Sequence, residues 1–132
     1  MERKHKHLEF IQLVITRMNV NSFLIKGWAV TMVAALFAFA AKDSELKYIF
    51  ITFLSTPMFW LLDGYYLSQE RQYRELYNQV RVQLEDAIDY DMNASSFNVG
   101  KNRWMSSVFS STLIIFYGLI VALTVFIIFI IN

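Results

Sequence analysis

The sequence predicts an all-α membrane protein with three transmembrane helices, an amphipathic N-terminal helix and a long cytoplasmic extension of the second span. Three apolar segments are long enough for the roughly 20 helical residues that cross a bilayer core. Hydrophobic residues make up 56% of the chain, which is too apolar for a soluble domain of 132 residues. We therefore expect residues 1–132 to form a single membrane domain in contact with the lipid bilayer.

Residues 7–19, HLEFIQLVITRMN, are predicted to form the amphipathic helix. One face carries apolar side chains at spacings of three and four residues: Leu8, Ile11, Ile15 and Met18. The opposite face carries Glu9, Gln12 and Thr16. Such a helix lies on the cytoplasmic membrane surface or packs against another cytoplasmic helix.

Residues 22–41 form the first predicted span, with Asn21 or Ser22 as its N-cap. Small side chains follow one line along this helix at spacings of four and three: Gly27, Thr31, Ala34 and Ala38. Gly118 and Ala122 are a similar pair in the third span. Small residues let helix backbones approach closely in a membrane, so both sets are predicted to be helix-packing surfaces.

Residues 47–66 form the second predicted span, which the tight hairpin KDSEL joins to the first. Ser44 in this hairpin is the expected N-cap of the second helix. Pro57 lacks a backbone donor and is expected to bend this helix. Asp63 lies near its end, where a carboxylate is costly unless it is paired.

Residues 67–91 are predicted to continue the second span as a cytoplasmic helix, because apolar side chains repeat at threes and fours. This segment is also rich in tyrosine and arginine. If the protein docks a soluble cytoplasmic partner, the residues expected to do so are Tyr73, Tyr77, Arg74 and Arg81. Turn-forming residues and Gly100 then indicate a loop before the third span.

Residues 104–131 form the third predicted span. A polar stripe that begins just before it recurs every seven residues: Arg103, Ser110, Tyr117 and Thr124. Residues at this spacing fall nearly in line on one helical face. The stripe either lines a pore in an oligomer, or it bonds across a closed bundle, with Tyr117 bonded to Thr52 or Thr56.

An intramembrane charge pair between Lys26 and Asp63 is predicted from their depth. Lys26 lies 15 residues before the outer end of the first span, and Asp63 lies 16 residues after the start of the second. At about 1.5 Å per residue, an antiparallel hairpin places both at the same level, close to the cytoplasmic face. Each is followed by glycine, and we expect Gly27 and Gly64 to let the two helices approach closely.

The distribution of basic residues predicts the orientation. Five basic residues lie before or just inside the first span, and five more lie between the second and third spans. The hairpin between the first two spans holds only two. Because cytoplasmic loops carry an excess of Lys and Arg, the N-terminus is predicted to be cytoplasmic and the C-terminus outside.

No arrangement in the sequence indicates an enzyme. The chain has no cysteine, no Gly-rich phosphate loop, no Ser/His/Asp set and no paired catalytic carboxylates. No cofactor or metal is expected, because His5 and His7 lie in a basic terminal segment. The 12 basic and 11 acidic side chains nearly balance, which gives no argument for nucleic-acid binding.

The runs RMNVNSFLIKGWAVT (17–31) and DGYYLSQERQYRELYNQVR (63–81) resemble those of small bacterial membrane proteins. Such proteins are often encoded beside nucleotide-signalling or TIR-type defence genes. The resemblance covers residues 8–82 and carries over no catalytic residue. It implies a small effector that oligomerises and permeabilises or depolarises the inner membrane when a partner or ligand signals.

We therefore expect a self-associating protein of the bacterial inner membrane, a pore-forming or membrane-perturbing effector in antiviral defence. Three helices are too few to surround a water-filled channel, so a pore requires a homo-oligomer. The alternative is a membrane anchor or adaptor that docks a soluble cytoplasmic partner.

Overall fold

The computed structural model describes residues 2–43 and 45–131. They form four α-helices: α1 (Glu2–Asp43), α2 (Leu46–Arg81), α3 (Trp104–Val108) and α4 (Ser111–Ile131). Three short 3-10 turns lie between α2 and α3, at Glu85–Ala87, Ser95–Phe97 and Gly100–Asn102. The described residues contain no strand, which confirms the predicted all-α class. The predicted cap at Ser44 lies outside the described residues.

α1 is one continuous helix of 42 residues. The predicted boundary between an amphipathic helix over 7–19 and a span over 22–41 is therefore wrong. Ser22, one of the two suggested caps, and Asn19, three residues before it, bond to α2 instead. Asn19 Nδ2 donates to Glu70 Oε1 at 3.0 Å, and Ser22 Oγ donates to Asp63 Oδ1. A side chain used between helices leaves the helical backbone of α1 undisturbed.

α2 ends at Arg81, so the predicted helix over residues 67–91 is too long. A ladder of side chains keeps the last residues of this predicted segment out of a helix. Asp89, Asp91 and Asn93 each accept a hydrogen bond from the backbone N–H two residues later, at 3.1, 2.9 and 2.9 Å. Such local bonds compete with helical hydrogen bonding. The loop folds back, and its Ile88 and Ala94 are buried.

The predicted third span over 104–131 is also not one helix, because it is interrupted between α3 and α4. Two indole groups hold α3 against α2. Trp60 Nε1 donates to the Val108 carbonyl at 2.7 Å, and Trp104 Nε1 donates to the Leu61 carbonyl at 2.8 Å. In an uninterrupted helix the Val108 carbonyl would accept from residue 112. The serine-rich sequence SSVFSS has low helix propensity and favours the break.

The buried apolar residues form two separate clusters. The head core combines the start of α1, the end of α2 and the following loop: Ile11, Ile15, Leu76, Val80, Ile88 and Ala94. The bundle core joins α1 to α4, with α2 packed against it: Ala29, Val33, Leu113, Tyr117 and Ile120. We call residues 2–20 and 67–103 the head, and residues 21–43, 45–66 and 104–131 the bundle.

Among the described residues, two helices are long and apolar enough to cross a membrane. They are α1 and the segment Ser111–Ile130 of α4. Both are compatible with a membrane protein. α2, which holds the second predicted span, is not among them.

Candidate functional site

Asp63 lies where α1, α2 and α4 meet, and its side chain is completely buried. Lys26 Nζ lies 2.7 Å from Asp63 Oδ2, so the structure brings the predicted charge pair together. Tyr117 donates its hydroxyl hydrogen to the same oxygen at 2.9 Å, and Ser22 donates to Oδ1. The carboxylate therefore accepts hydrogen bonds from α1 and from α4, and it ties both helices to α2.

Two further contacts fix the geometry of this polar cluster. Lys26 Nζ also donates to Ser22 Oγ at 2.9 Å and lies 5.8 Å from the centre of the Phe116 ring. The Trp60 ring stacks on the Tyr117 ring, with centroids 5.7 Å apart and planes only 10° from parallel. Lys26 is 21% exposed, so the cluster reaches the surface at the lysine.

Ser22 and Trp60 belong to this cluster but were not among the predicted site residues. The signal was present, because Ser22 lies four residues before Lys26 and Trp60 lies three before Asp63. Residues at these spacings share a helical face. Polar and aromatic neighbours of a charged residue on its own helical face therefore indicate both members of the cluster.

The expected contact between Gly27 and Gly64 is not formed. A Cβ atom on Gly64 would overlap the Val108 side chain and lie 3.1 Å from the Val108 Cα. A Cβ atom on Gly27 would meet nothing within 4 Å. Gly64 therefore lets α3 pack closely against α2, although α3 was predicted to be part of one span with α4. Gly27 lies on the outer surface of α1.

The small-residue lines face outward. The four residues of α1 that were expected to pack are all exposed: Gly27, Thr31, Ala34 and Ala38. Thr31 Oγ1 donates to the Gly27 carbonyl of its own helix at 2.9 Å. On α4, Ala122 is exposed, and a Cβ atom on Gly118 would meet nothing within 4 Å. Within one chain, α1 packs through Ala29 and Val33 instead.

The helix break interrupts the predicted pore stripe: Ser110 lies between α3 and α4 and is half-buried, and the two stripe residues on α4 face inward. Tyr117 is 0% exposed and Thr124 is 1% exposed. Tyr117 bonds to Asp63 rather than to the threonines of α2, and Thr124 Oγ1 donates to the Ile120 carbonyl at 2.7 Å. Arg103 is exposed and precedes α3, so the helix break removes it from the stripe. In this conformation Tyr117 and Thr124 are buried inside the bundle of one chain.

The four expected docking residues fall into two groups. Tyr73 and Tyr77 are half-buried and pack against the head core. Arg74 is 57% exposed, and its guanidinium lies 3.1 Å from Glu70 Oε1. Arg81 is exposed, and its carbonyl accepts a hydrogen bond from Lys4 Nζ at 2.9 Å. The arginines are therefore available to a partner, whereas the tyrosines mainly build the head.

No protein-family model, curated protein or solved structure matches this chain. The described residues also contain no group of three or more His, Cys, Asp or Glu side chains arranged to hold a metal ion.

Proposed function

We propose that this protein is a three-span anchor of the bacterial inner membrane whose cytoplasmic head docks a soluble partner. The observation that carries the proposal is the pair of separate cores, one in the head and one in the bundle. The bundle buries Tyr117 and Thr124, the two residues of the predicted pore stripe that lie on α4. The head, by contrast, presents exposed arginines on a packed scaffold.

A membrane location for the first part of α2 is supported by which of its side chains face outward. Large apolar side chains face outward, with Phe50, Leu54 and Met58 at 60%, 69% and 65% exposure. Polar side chains face inward, and Thr52 and Asp63 are almost completely buried. Lipid favours this arrangement and water disfavours it. The inward polar residues also lower the mean hydropathy of α2, although they never meet lipid.

The three-span topology is tested with single cysteines, because the chain has none of its own. Glu45→Cys lies at the hairpin and Ser95→Cys lies in the head, and both positions are exposed. An impermeant thiol reagent added to intact cells is expected to label residue 45 and not residue 95. Labelling of both would place the head outside, and labelling of residue 95 alone would reverse the orientation.

The docking function is tested with a photoactivatable amino acid placed at Arg74 or Arg81, with Thr112 on α4 as the matched bundle position. All three side chains are exposed. In the source cells, the head positions are expected to give a discrete adduct with one other protein, which Thr112 does not give. If every position gives adducts only with lipid or with the chain itself, the adaptor function is ruled out.

A second function, a self-associating pore or membrane-perturbing effector, is supported by a different observation. The small-residue lines of α1 and α4 face outward, where they let a second copy approach closely. Gly27→Leu and Gly118→Leu are expected to dissociate such an oligomer and to abolish dye release from liposomes. The pore function is ruled out if dye release persists after the oligomer has dissociated. It is also ruled out if the oligomer forms in liposomes that stay tight.

A further inference from the structure

A cavity of about 390 Å³ lies beside the first turns of α1, where the loop after α2 folds against them. Six side chains line it: Arg3, Lys6, His7, Phe10, Tyr90 and Met92. Sites for small molecules usually occupy about 300–1,000 Å³. The cavity is therefore large enough for a small ligand, and it lies far from the polar cluster of the bundle.

Two polar atoms of the lining residues are buried and have no hydrogen-bond partner within the described part of the chain. They are His7 Nε2 and Tyr90 Oη. His7 is only 4% exposed, and its ring meets the Tyr90 ring edge to face at 5.3 Å. Because nearly all buried polar groups in folded proteins are paired, two unpaired atoms beside one cavity indicate a site that a ligand completes.

The backbone at Tyr90 gives an independent sign of a built site. Its φ is +59°, in the left-handed region that bulky residues seldom adopt. Asp89 and Asp91, on either side, belong to the ladder of local hydrogen bonds that fixes this loop. The loop thus holds a strained residue whose aromatic ring packs against the buried histidine.

We infer that this cavity binds a small organic anion that carries a flat ring. Arg3 and Lys6 supply two exposed cationic groups, and a guanidinium suits a carboxylate or phosphate. Phe10 and Tyr90 supply aromatic surface for the ring of the ligand.

The anion is a soluble molecule rather than a lipid headgroup. Lys6 precedes Ser22, where the first predicted span begins, by 16 residues of continuous helix. At 1.5 Å per residue this separation is about 24 Å, which lies beyond the headgroup layer of a helix that crosses the membrane. This step alone depends on the proposed membrane position; the cavity and its unpaired atoms do not.

Methyl-labelled methionine gives a reporter inside the cavity. The full-length protein in detergent is titrated with phenyl phosphate, and the Met92 methyl resonance is followed by NMR. Met32, Met58 and Met105 lie in the bundle and serve as internal references. Phenol tests the ring without the charge, and inorganic phosphate tests the charge without the ring. We expect a saturable Met92 shift with phenyl phosphate, and at least tenfold weaker binding of the other two probes.

Matched variants assign the shift to the cavity. Arg3→Gln with Lys6→Gln is expected to weaken binding at least tenfold, and Tyr90→Phe by a smaller factor. Arg17→Gln, an exposed position on the same helix, is expected to leave binding unchanged. The inference is overturned if phenyl phosphate leaves Met92 unmoved, or if the Arg3 and Lys6 variant binds as the wild type does. It is also overturned if Met92 shifts only in nanodiscs that contain anionic lipid, which would make the ligand a headgroup.

Discussion

The head and the bundle each have an apolar core, but the bundle core also includes Tyr117, which bonds to the fully buried carboxylate of Asp63. Ile11 and Ile15 are almost inaccessible in the head, as Asp63 is in the bundle. Water drives apolar groups together in the head. In the proposed membrane position, lipid gives no such force between helices, so packing and hydrogen bonds would hold the bundle together. The same helices, α1 and α2, thus change their stabilising interactions along their length.

The two regions can be followed separately in one sample. All three tryptophans, Trp28, Trp60 and Trp104, lie in the bundle, and none lies in the head. Met92 packs against the head core. Tryptophan emission therefore reports the bundle, and the Met92 methyl resonance reports the head.

The largest effect is expected from Asp63→Ala. Removal of one partner from a buried ion pair leaves the other charge uncompensated, at a cost of about 3–5 kcal/mol when burial is complete. Because Lys26 is 21% exposed, we expect the lower part of that range. The measurement is the free energy of unfolding in mixed detergent, followed by tryptophan emission.

The double variant of Asp63→Ala with Lys26→Ala serves as the control for that pair. It is expected to lose less stability than the sum of the two single variants, because neither charge then remains unpaired. Strictly additive losses would show that the 2.7 Å contact between Lys26 and Asp63 contributes no coupling energy.

Ile15→Ala tests the head in the same way. Ile15 is 2% exposed in the head core, and its truncation is expected to cost about 3 kcal/mol. The Met92 resonance should report early loss of head structure, while the tryptophan transition stays in place. Leu13→Ala, at a position that is 59% exposed, should change neither. A shift of both transitions by Ile15→Ala would show that head and bundle unfold as one unit.

Gly64→Ala is expected to have the next largest effect and to act on the bundle alone. The added methyl group overlaps Val108, and overpacking of this kind costs about 1–3 kcal/mol. Gly27→Ala is the matched control, because it adds a methyl group to open space. It should leave stability unchanged or raise it slightly. Equal losses in both variants would mean that Gly27 is also packed, as it would be at the interface of an oligomer.

The sequence was sufficient to predict the Lys26–Asp63 pair, because helix rise alone sets the depth of each residue in a hairpin. It was not sufficient to predict which face of α1 packs inward. Gly27 and Ala29 are both small, and only the positions of α2 and α4 decide that Ala29 is buried. Rotation about a helix axis is a tertiary property, and spacing within one helix does not contain it.

The errors in helix boundaries have a similar origin. Ser22 is a good N-cap by type, but it donates to Asp63, so α1 continues through it. After Arg81 the apolar repeat suits a helix, yet Ile88 is buried by folding back to the head core. Acidic residues at alternate positions, Asp89 and Asp91, were a local indication that the chain turns back there, because such side chains bond to the backbone two residues later. Local pattern thus predicted the helices well and their ends poorly, because tertiary partners decide the ends.

The smallest effect is expected from Tyr117→Phe, which also separates the two candidate functions. The substitution removes the hydrogen bond to Asp63 Oδ2 and keeps a ring that can stack on Trp60. Hydrogen bonds between membrane helices contribute about 0.6 kcal/mol on average, so a closed bundle loses little stability. Tyr65→Phe, at a position that is 43% exposed, is the matched control and should lose less.

Dye release from liposomes is measured on the same Tyr117→Phe protein. In a closed anchor the hydroxyl group meets only Asp63, so wild type and variant should both leave the liposomes tight. If this stripe lines a pore, the wild type should release dye and the variant should release less. The hydroxyl groups of the stripe would face water, so their loss would reduce release at unchanged stability. A small loss of stability together with tight liposomes therefore supports the anchor, whereas reduced release at full stability supports a pore and requires α4 to rotate away from Asp63.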